Sequence, residues 1–250
     1  MEVKRRKLQG VLNILSFNRH FYIAGLGILA LLLASRIFIE WPASLFWIVL
    51  AAFLYGFTAP LIVSAYVYDL SGYYEFDWLK KVIKDNKVVK SITNINAGFD
   101  ETSFIIESKF PSAEIKVFDF YDAARHTEPA IKRARKVSIT YPGTATIQTG
   151  SIPLESNSVD IVFLLSAAHE IRSYNEKVTF LKECRRICKP GGKVIMVEHL
   201  RDLPNFLAFT VGFTHFFSRQ HWKKAFTHAG FQDLEETKFT AFMSIFECST

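Results

Sequence analysis

The sequence predicts an α/β domain built on a mostly parallel seven-stranded sheet with an antiparallel C-terminal hairpin, preceded by two transmembrane helices. Three observations carry this expectation. Residues 21–35 and 41–68 contain no charged side chain. From about residue 73 the pattern changes to short apolar runs separated by amphipathic segments, as when strands and helices alternate along a parallel sheet. The last two apolar runs have no helix between them, so they must pair antiparallel.

A helix needs about 20 apolar residues to cross a bilayer core. The stretch 41–68 meets this alone. The stretch from Phe21 meets it if Arg36 snorkels to the head groups. Glu40, Trp41, Pro42 and Ser44 form the turn between the spans. Trp41 and Trp47 at one end, and Tyr66 and Tyr68 at the other, suit interfacial belts. A cleaved signal peptide is the alternative, but the apolar core is long, a second span follows at once, and no small-residue cleavage site stands out. Lys4, Arg5, Arg6, Lys7 and Arg19 precede the first span. Lys80, Lys81, Lys84, Lys87 and Lys90 follow the second, and the turn carries almost no charge. The positive-inside tendency therefore puts both ends in the cytoplasm, in the inner membrane if the source is bacterial. Residues 1–20 read as a basic, amphipathic interfacial segment, 21–68 as the hairpin and 69–250 as the α/β domain.

Within that domain the expected elements run in order: a helix over 73–83, a strand over 91–95, a loop over 96–100, a helix ending at 109, and a strand over 115–119. A basic helix follows over 128–136, a short strand over 145–148, and a continuously apolar and therefore buried strand over 159–165. An amphipathic helix over 174–188 presents Val178, Leu181 and Ile187 along one side. Pro190-Gly191-Gly192 turns the chain into a strand over 193–197. A helix over 218–228 stops at Gly230, and strands over 232–238 and 241–248 close the domain.

Composition agrees with this division. The chain has 250 residues, half of them hydrophobic and 24 of them Phe, with a formal net charge of +6. Mean hydropathy is slightly positive, which suggests contact with lipid. The one dense basic cluster stands before an apolar run, which favours anionic lipid over nucleic acid as its partner. Cys184, Cys188 and Cys248 give no disulfide framework and read as reduced thiols.

In an open parallel sheet, ligands bind beyond the C-terminal ends of the strands. The first strand ends in Asn96-Ala97-Gly98, where a residue without Cβ lets backbone approach a ligand. The second ends in Asp119, placed to accept hydrogen bonds from both ribose hydroxyls of a nucleoside. The fourth runs into Ser166-Ala167-Ala168-His169-Glu170, and the fifth into Glu198-His199.

These residues resemble class I methyltransferases dependent on S-adenosylmethionine, which have a Rossmann-like fold. The resemblance rests on 95–98 followed by Asp119, on Ile152-Pro153-Leu154 through Asp160, on Lys189-Pro190-Gly191-Gly192 before an apolar strand, and on Ala229-Gly230-Phe231. It covers roughly 73–248 and is nearest to the type 11 group, similar to the ubiquinone and menaquinone C-methyltransferases. Asn96 and Asp100 stand where the family has glycines, and Thr149-Gly150-Ser151 where it often has an acid. A left-handed backbone at Asn96 would let it replace a glycine.

The resemblance implies S-adenosylmethionine as cofactor. It would lie against Asn96, Ala97, Gly98, Asp100, Asp119, Phe120, Gly150, Ser151, Ile152 and Ser166, with Asp100 facing the methionine amino group. His169 is the expected base or acceptor-orienting group, Glu170 its tuning partner, and His199 a second catalytic candidate at the same rim. His215 lies in the Phe-rich, nearly uncharged stretch 204–217, where the family builds an acceptor lid. No metal is expected, although a His/Glu cluster is the alternative use of these side chains. A domain tied to membrane helices under an apolar lid implies a lipophilic acceptor, a quinone or a phospholipid head group. The competing reading is a non-catalytic membrane protein retaining the fold for binding or assembly. A nicotinamide-dependent enzyme is the third.

Overall fold

The structure is a computed structural model and describes residues 5–83, 89–126 and 128–250. Lys4, Lys84 and Lys87 of the charge argument lie outside the described residues.

Seven strands form one sheet in the order β3-β2-β1-β4-β5-β7-β6. They are β1 (Ser91–Asn96), β2 (Glu114–Asp119), β3 (Ala145–Thr146), β4 (Val159–Leu165), β5 (Cys188–His199), β6 (Asp233–Lys238) and β7 (Met243–Ser249). The first five are parallel, and β7 pairs antiparallel with both β5 and β6. The strand break between β1 and β4 puts the ends of β1, β2, β4 and β5 on one rim, with Asn96 level with Asp119 and Leu165 level with Val197.

Alternation along β4 divides the core. Val162 and Leu164 join Ile95, Phe118, Val194 and Met196 on one face, under Phe180 and Leu181 of α7 (Tyr174–Ile187) and Trp222 and Phe226 of α9 (Arg219–His228). Ile161, Phe163 and Leu165 join Ile92, Ile195, Val197 and Ile245 on the other. There they meet α5 (Ser103–Lys109), α4 (Leu79–Val82) and Trp78. A two-residue period on a sheet covered on both sides produces this continuous apolar strand. Ser173 and Ser218 cap α7 and α9 by accepting from the backbone N–H three residues on, as the Ser-x-x-Glu spacing at Ser173 suggests.

Three elements differ from the sequence expectation. The helix expected over 73–83 is reduced to α4. Tyr73, Phe76 and Trp78 all turn inward, Trp78 Nε1 donates to the Tyr73 carbonyl, and Phe76 takes a left-handed φ of 59°. Burying three large rings from one short segment overrides helix propensity. Pro190–Gly192 is built into β5 as an irregularity, where pairing with β4 shifts register between Val159 and Ile161. The N-terminal segment is docked on the protein as well as amphipathic. The amides of Gly10 and Val11 in α1 (Gln9–Phe17) donate to Asp69, while Gln9 and Asn13 donate to Glu101. Phe17 is buried against Phe99, and Arg133 Nε donates to its carbonyl. Arg5 pairs with Glu101 at 2.9 Å and stacks on Tyr74, so this member of the basic cluster is committed to the protein itself.

Two helices are long and apolar enough to cross a membrane: α2 (Arg19–Phe38), and α3 (Ala43–Ala65) continued by a π-helical turn (Tyr66–Leu70). Their windows are only 6% and 11% buried within the protein, unlike the core helix of a water-soluble fold.

Candidate active site

The rim expected to hold a nucleoside forms where β1 and β2 end. Gly98 has φ +80°, and a Cβ there would come 2.8 Å from Asp119 Oδ2 and run into the Arg135 guanidinium. Asn96 closes the turn through its side chain, Oδ1 accepting from the Gly98 amide at 2.7 Å, and its Nδ2 is buried without a partner. Asn96 is not among the left-handed residues, so the expected glycine mimicry does not occur; as the last residue of β1 it keeps strand geometry, and Gly98 makes the turn.

Asp100 Oδ1 accepts from the amides of Thr102 and Ser103 and so caps the start of α5, while Oδ2 is buried and unpaired. An orphaned carboxylate oxygen beside the glycine turn suits an ammonium group. Phe120 departs from its expected role. Its ring is packed in the core against Phe180 and His126, and the aromatic beside Asp119 is Tyr121. Gly150 and Ser151 lie exposed after β3, which meets the end of β2 at Asp119, and buried Ile152 is tied through its amide to Glu183.

Asp119 is already engaged. Its Oδ1 accepts from the Tyr121 amide at 2.8 Å. Its Oδ2 accepts from Arg135 Nη1 at 2.6 Å, and the same Nη1 donates to the Ala97 carbonyl at 2.9 Å. The guanidinium stacks on Tyr121 at 4.1 Å. Arg135 thus lies across Gly98 and Asp119. Its side chain is 30% exposed, so it has a path outward to water.

The second cluster forms where β4 and β5 end. Ser166 follows β4 in a left-handed conformation, φ 51°, with Oγ 3.1 Å from the Tyr73 hydroxyl. A one-turn 3₁₀ helix (Ala168–Glu170) then presents His169. Its Nδ1 is 2.7 Å from Glu198 Oε2, and its amide donates to Glu198 Oε1 at 3.2 Å. Glu198 is fully buried at the end of β5. Its carboxylate accepts the hydrogen bond from Nδ1–H and leaves Nε2 facing Glu170 Oε1 at 3.5 Å and the His215 ring at 4.9 Å between centroids. Burial alone would lower the proton affinity of His169, but Glu198 and Glu170 outweigh it and raise its pKa to about 10. Burial would raise Glu170, yet the His169 cation holds it below the usual carboxylate range. Burial and the His169 cation push His215 down to about 3.

His199 does not join this cluster as a free base. Its Nδ1 faces two acceptors, Asn205 Oδ1 and the Phe242 carbonyl, both at 3.0 Å, so Nδ1 carries the proton. Nε2 accepts from the Tyr68 hydroxyl at 2.9 Å. Burial lowers its pKa to about 4. His199 is a neutral clamp between α3's π turn and the rim.

His169, Glu170 and His215 each bring one ligand atom within 4.8 Å of the others. That is a donor set a divalent transition metal accepts. The proton on His169 neutralises the same carboxylates.

The lid follows β5. It consists of α8 (Leu203–Phe209) and a 3₁₀ segment (Thr210–His215) that returns His215 to the site. Arg172 Nη1 donates to the carbonyls of both His169 and His215, pinning lid to rim. Phe216 stacks on His199 with centroids 4.8 Å apart.

His169, Glu170 and His215 are legible in the sequence as neighbours of this rim, whereas Glu198 and Arg135 are not marked there as site residues. The signal for Glu198 was its place at the end of a buried strand, where an ionised carboxylate needs a partner. Arg135 carries no local signal, because its partner lies 16 residues away.

Residues 113–196 match the family model described as a methyltransferase domain. A curated protein, a highly reducing polyketide synthase from Pyrenophora dematioidea, is 32% identical over 91 residues, 31% of this chain. The alignment spans only 3% of that protein's length. Among solved structures, a SAM dependent methyltransferase from Aquifex aeolicus aligns with a TM-score of 0.51 and 16% identity, covering 72% of this chain and 93% of that one. A protein from Pyrococcus horikoshii aligns at 0.52 and 17% identity, over 71% and 88% of the two chains. The CMeT domain of the citrinin polyketide synthase aligns at 0.50 and 17%, over 76% and 55%. Sheet order and the match over residues 113–196 show that the α/β part of this chain has the fold of the S-adenosylmethionine-dependent methyltransferases.

Proposed function

We propose that this chain is a membrane-anchored, S-adenosylmethionine-dependent methyltransferase whose acceptor is a lipophilic hydroxyaromatic such as a reduced quinone, with the catalytic domain on the cytoplasmic side. The observation that carries the reading is the 2.7 Å His169–Glu198 pair beneath a lid without Lys, Arg, Asp or Glu.

The cofactor, when bound, supplies an electrophilic methyl group. The residues that would hold it fit. Gly98 leaves backbone open, Asp119 suits the ribose hydroxyls once Arg135 swings out, and the unpaired Asp100 Oδ2 suits the amino group. Glu198 fixes the His169 ring through Nδ1 and leaves Nε2 as the atom that exchanges a proton with the acceptor. A proton affinity near 10 matches that of a phenol, about 10. With that value His169 is mostly cationic at neutral pH; its neutral form, which grows as pH rises toward 10, is the one that takes the proton of a hydroxyaromatic acceptor, in a nearly balanced transfer. The same cationic imidazole disfavours an ammonium head group, so a phospholipid amine is the weaker candidate.

Incubating membranes that contain the full chain with methyl-labelled S-adenosylmethionine tests the proposal. Label should enter a lipid-extractable hydroxyaromatic with the wild type and not with His169→Ala. No labelled extractable molecule would sink the lipophilic acceptor.

One observation favours a second reading, a non-catalytic membrane protein retaining the fold: Arg135 lies where a ribose would meet Asp119. Titrating the detergent-purified chain with the cofactor separates the two. Binding lost in Asp119→Ala supports the enzyme, and no binding by either protein supports the structural role.

A further inference from the structure

Between Asp202 and Arg219 the chain has no Lys, Arg, Asp or Glu, and its only ionisable group is His215, turned inward. The outward side of the lid is apolar. Leu203 is 68% exposed and Val211 82%, with Phe206 and Leu207 about half exposed between them. Water is a poor neighbour for so continuous a patch. The patch is fastened to α3: Tyr55 Oη donates to the Leu207 carbonyl at 2.6 Å, and Thr210 lies against Gly56.

The level of that attachment matters. Tyr55 lies twelve residues beyond Ala43, or about 18 Å at 1.5 Å per residue. Trp41 and Trp47 mark the far interface of the span. A hydrocarbon core of about 30 Å then ends about 12 Å beyond Tyr55, toward the catalytic domain. A lid bonded to α3 at this level lies below the near head groups.

We infer that α8 and the 3₁₀ segment after it are embedded in the acyl region of the cytoplasmic leaflet, so that the acceptor site opens sideways into the bilayer. The occupant of the patch is lipid hydrocarbon. The inner side of the segment, Phe209 and Phe216 around His199, faces the rim, while the outer side, Leu203 through Val211, meets the acyl chains. The segment need not span, because its helical turns satisfy most of its backbone and α3 accompanies it. A hydrophobic acceptor would then reach His169 without crossing water. The inference rests on the membrane-anchored reading above.

Depth-resolved quenching tests it on the full chain in phosphatidylcholine–phosphatidylglycerol vesicles. Cys184, Cys188 and Cys248 are all buried, so a single introduced cysteine takes a fluorescent label selectively. Three sites are compared: Val211→Cys on the lid, Ile62→Cys on α3, and Lys223→Cys on the exposed face of α9. The label at 211 should be quenched more by mid-chain nitroxide lipids than by head-group nitroxides, the label at 62, near the cytoplasmic end of the span, more by head-group nitroxides, and the label at 223 by neither. Quenching at 62 with a water-exposed label at 211 overturns the embedded lid and leaves the anchor standing. A label at 211 shielded from both water and nitroxide lipid means a protein partner covers the patch, and also overturns it. No lipid quenching at 62 removes the anchor and the inference together.

Discussion

Glu198→Gln is the most informative perturbation. Glutamine keeps the shape, and its carbonyl still accepts from His169 Nδ1, but the charge is gone. In the wild type the two carboxylates hold His169 at about 10 against an ordinary 6.5. That gap amounts to on the order of 5 kcal/mol in favour of the cation, at about 1.4 kcal/mol per pH unit. Glu198, at 2.7 Å and fully buried, is closer than Glu170 at 3.5 Å and supplies the larger part. The variant's His169 should therefore titrate well below the wild type's, nearer the ordinary value.

The assay is histidine-selective NMR of the ring Cε1 resonance against pH, which needs no acceptor. Because the folded value is raised, the stabilising contribution is full below about pH 6.5 and disappears as pH climbs through about 10. Wild-type and variant unfolding midpoints should accordingly converge at alkaline pH. If the base is neutral His169, the rate of methyl transfer at subsaturating acceptor rises with pH toward 10 in the wild type and levels off earlier in Glu198→Gln. A wild-type His169 that titrates near 6.5 and does not move in the variant refutes the reasoning.

Further outcomes follow from the same geometry. Arg135→Met should bind the cofactor more tightly, by up to about fivefold, since a partly exposed ion pair contributes about 0–1 kcal/mol; isothermal titration reads it, and weaker binding would make Arg135 a ligand instead of a cover. Gly98→Ala combines a left-handed backbone with the crowding of Arg135 and Asp119, so it should abolish cofactor binding while costing about 1 kcal/mol of stability, read from unfolding midpoints. Lys177 is buried against Phe217 and Trp222, and burial drives its pKa down to about 6. Lys177→Met should therefore raise the unfolding temperature at neutral pH, by an increment that shrinks as pH rises toward 10.5. Dialysis against a chelator should leave methyl transfer unchanged if a proton bridges the His169 cluster; loss restored by zinc or iron would assign that place to a cation.

The fold was readable because its signals are local. Val159–Leu165 announces a strand covered on both faces, Ser173 and Glu176 mark a helix start, and the missing helix between β6 and β7 dictates an antiparallel end. The 73–83 helix failed where Tyr73, Phe76 and Trp78 found a better place in the core than on a helix face. Half of the His169 cluster was readable as well, because His169 and Glu170 follow a strand end. Its orienting partner was assigned to Glu170, next in sequence, whereas Glu198 across the β4–β5 pairing makes the short contact.

Read alone, then, the sequence determined the elements, their alternation, the two apolar helices and the residues at each strand end, since period, capping and composition act over a few neighbours. Only the tertiary structure decided the pairings: Glu198 with His169, Arg135 over Asp119, Tyr68 on His199, and α8 against α3. Each brings together groups from separate elements, and hydrogen-bond and ionic energies depend on angstroms of separation in space that spacing along the chain does not encode.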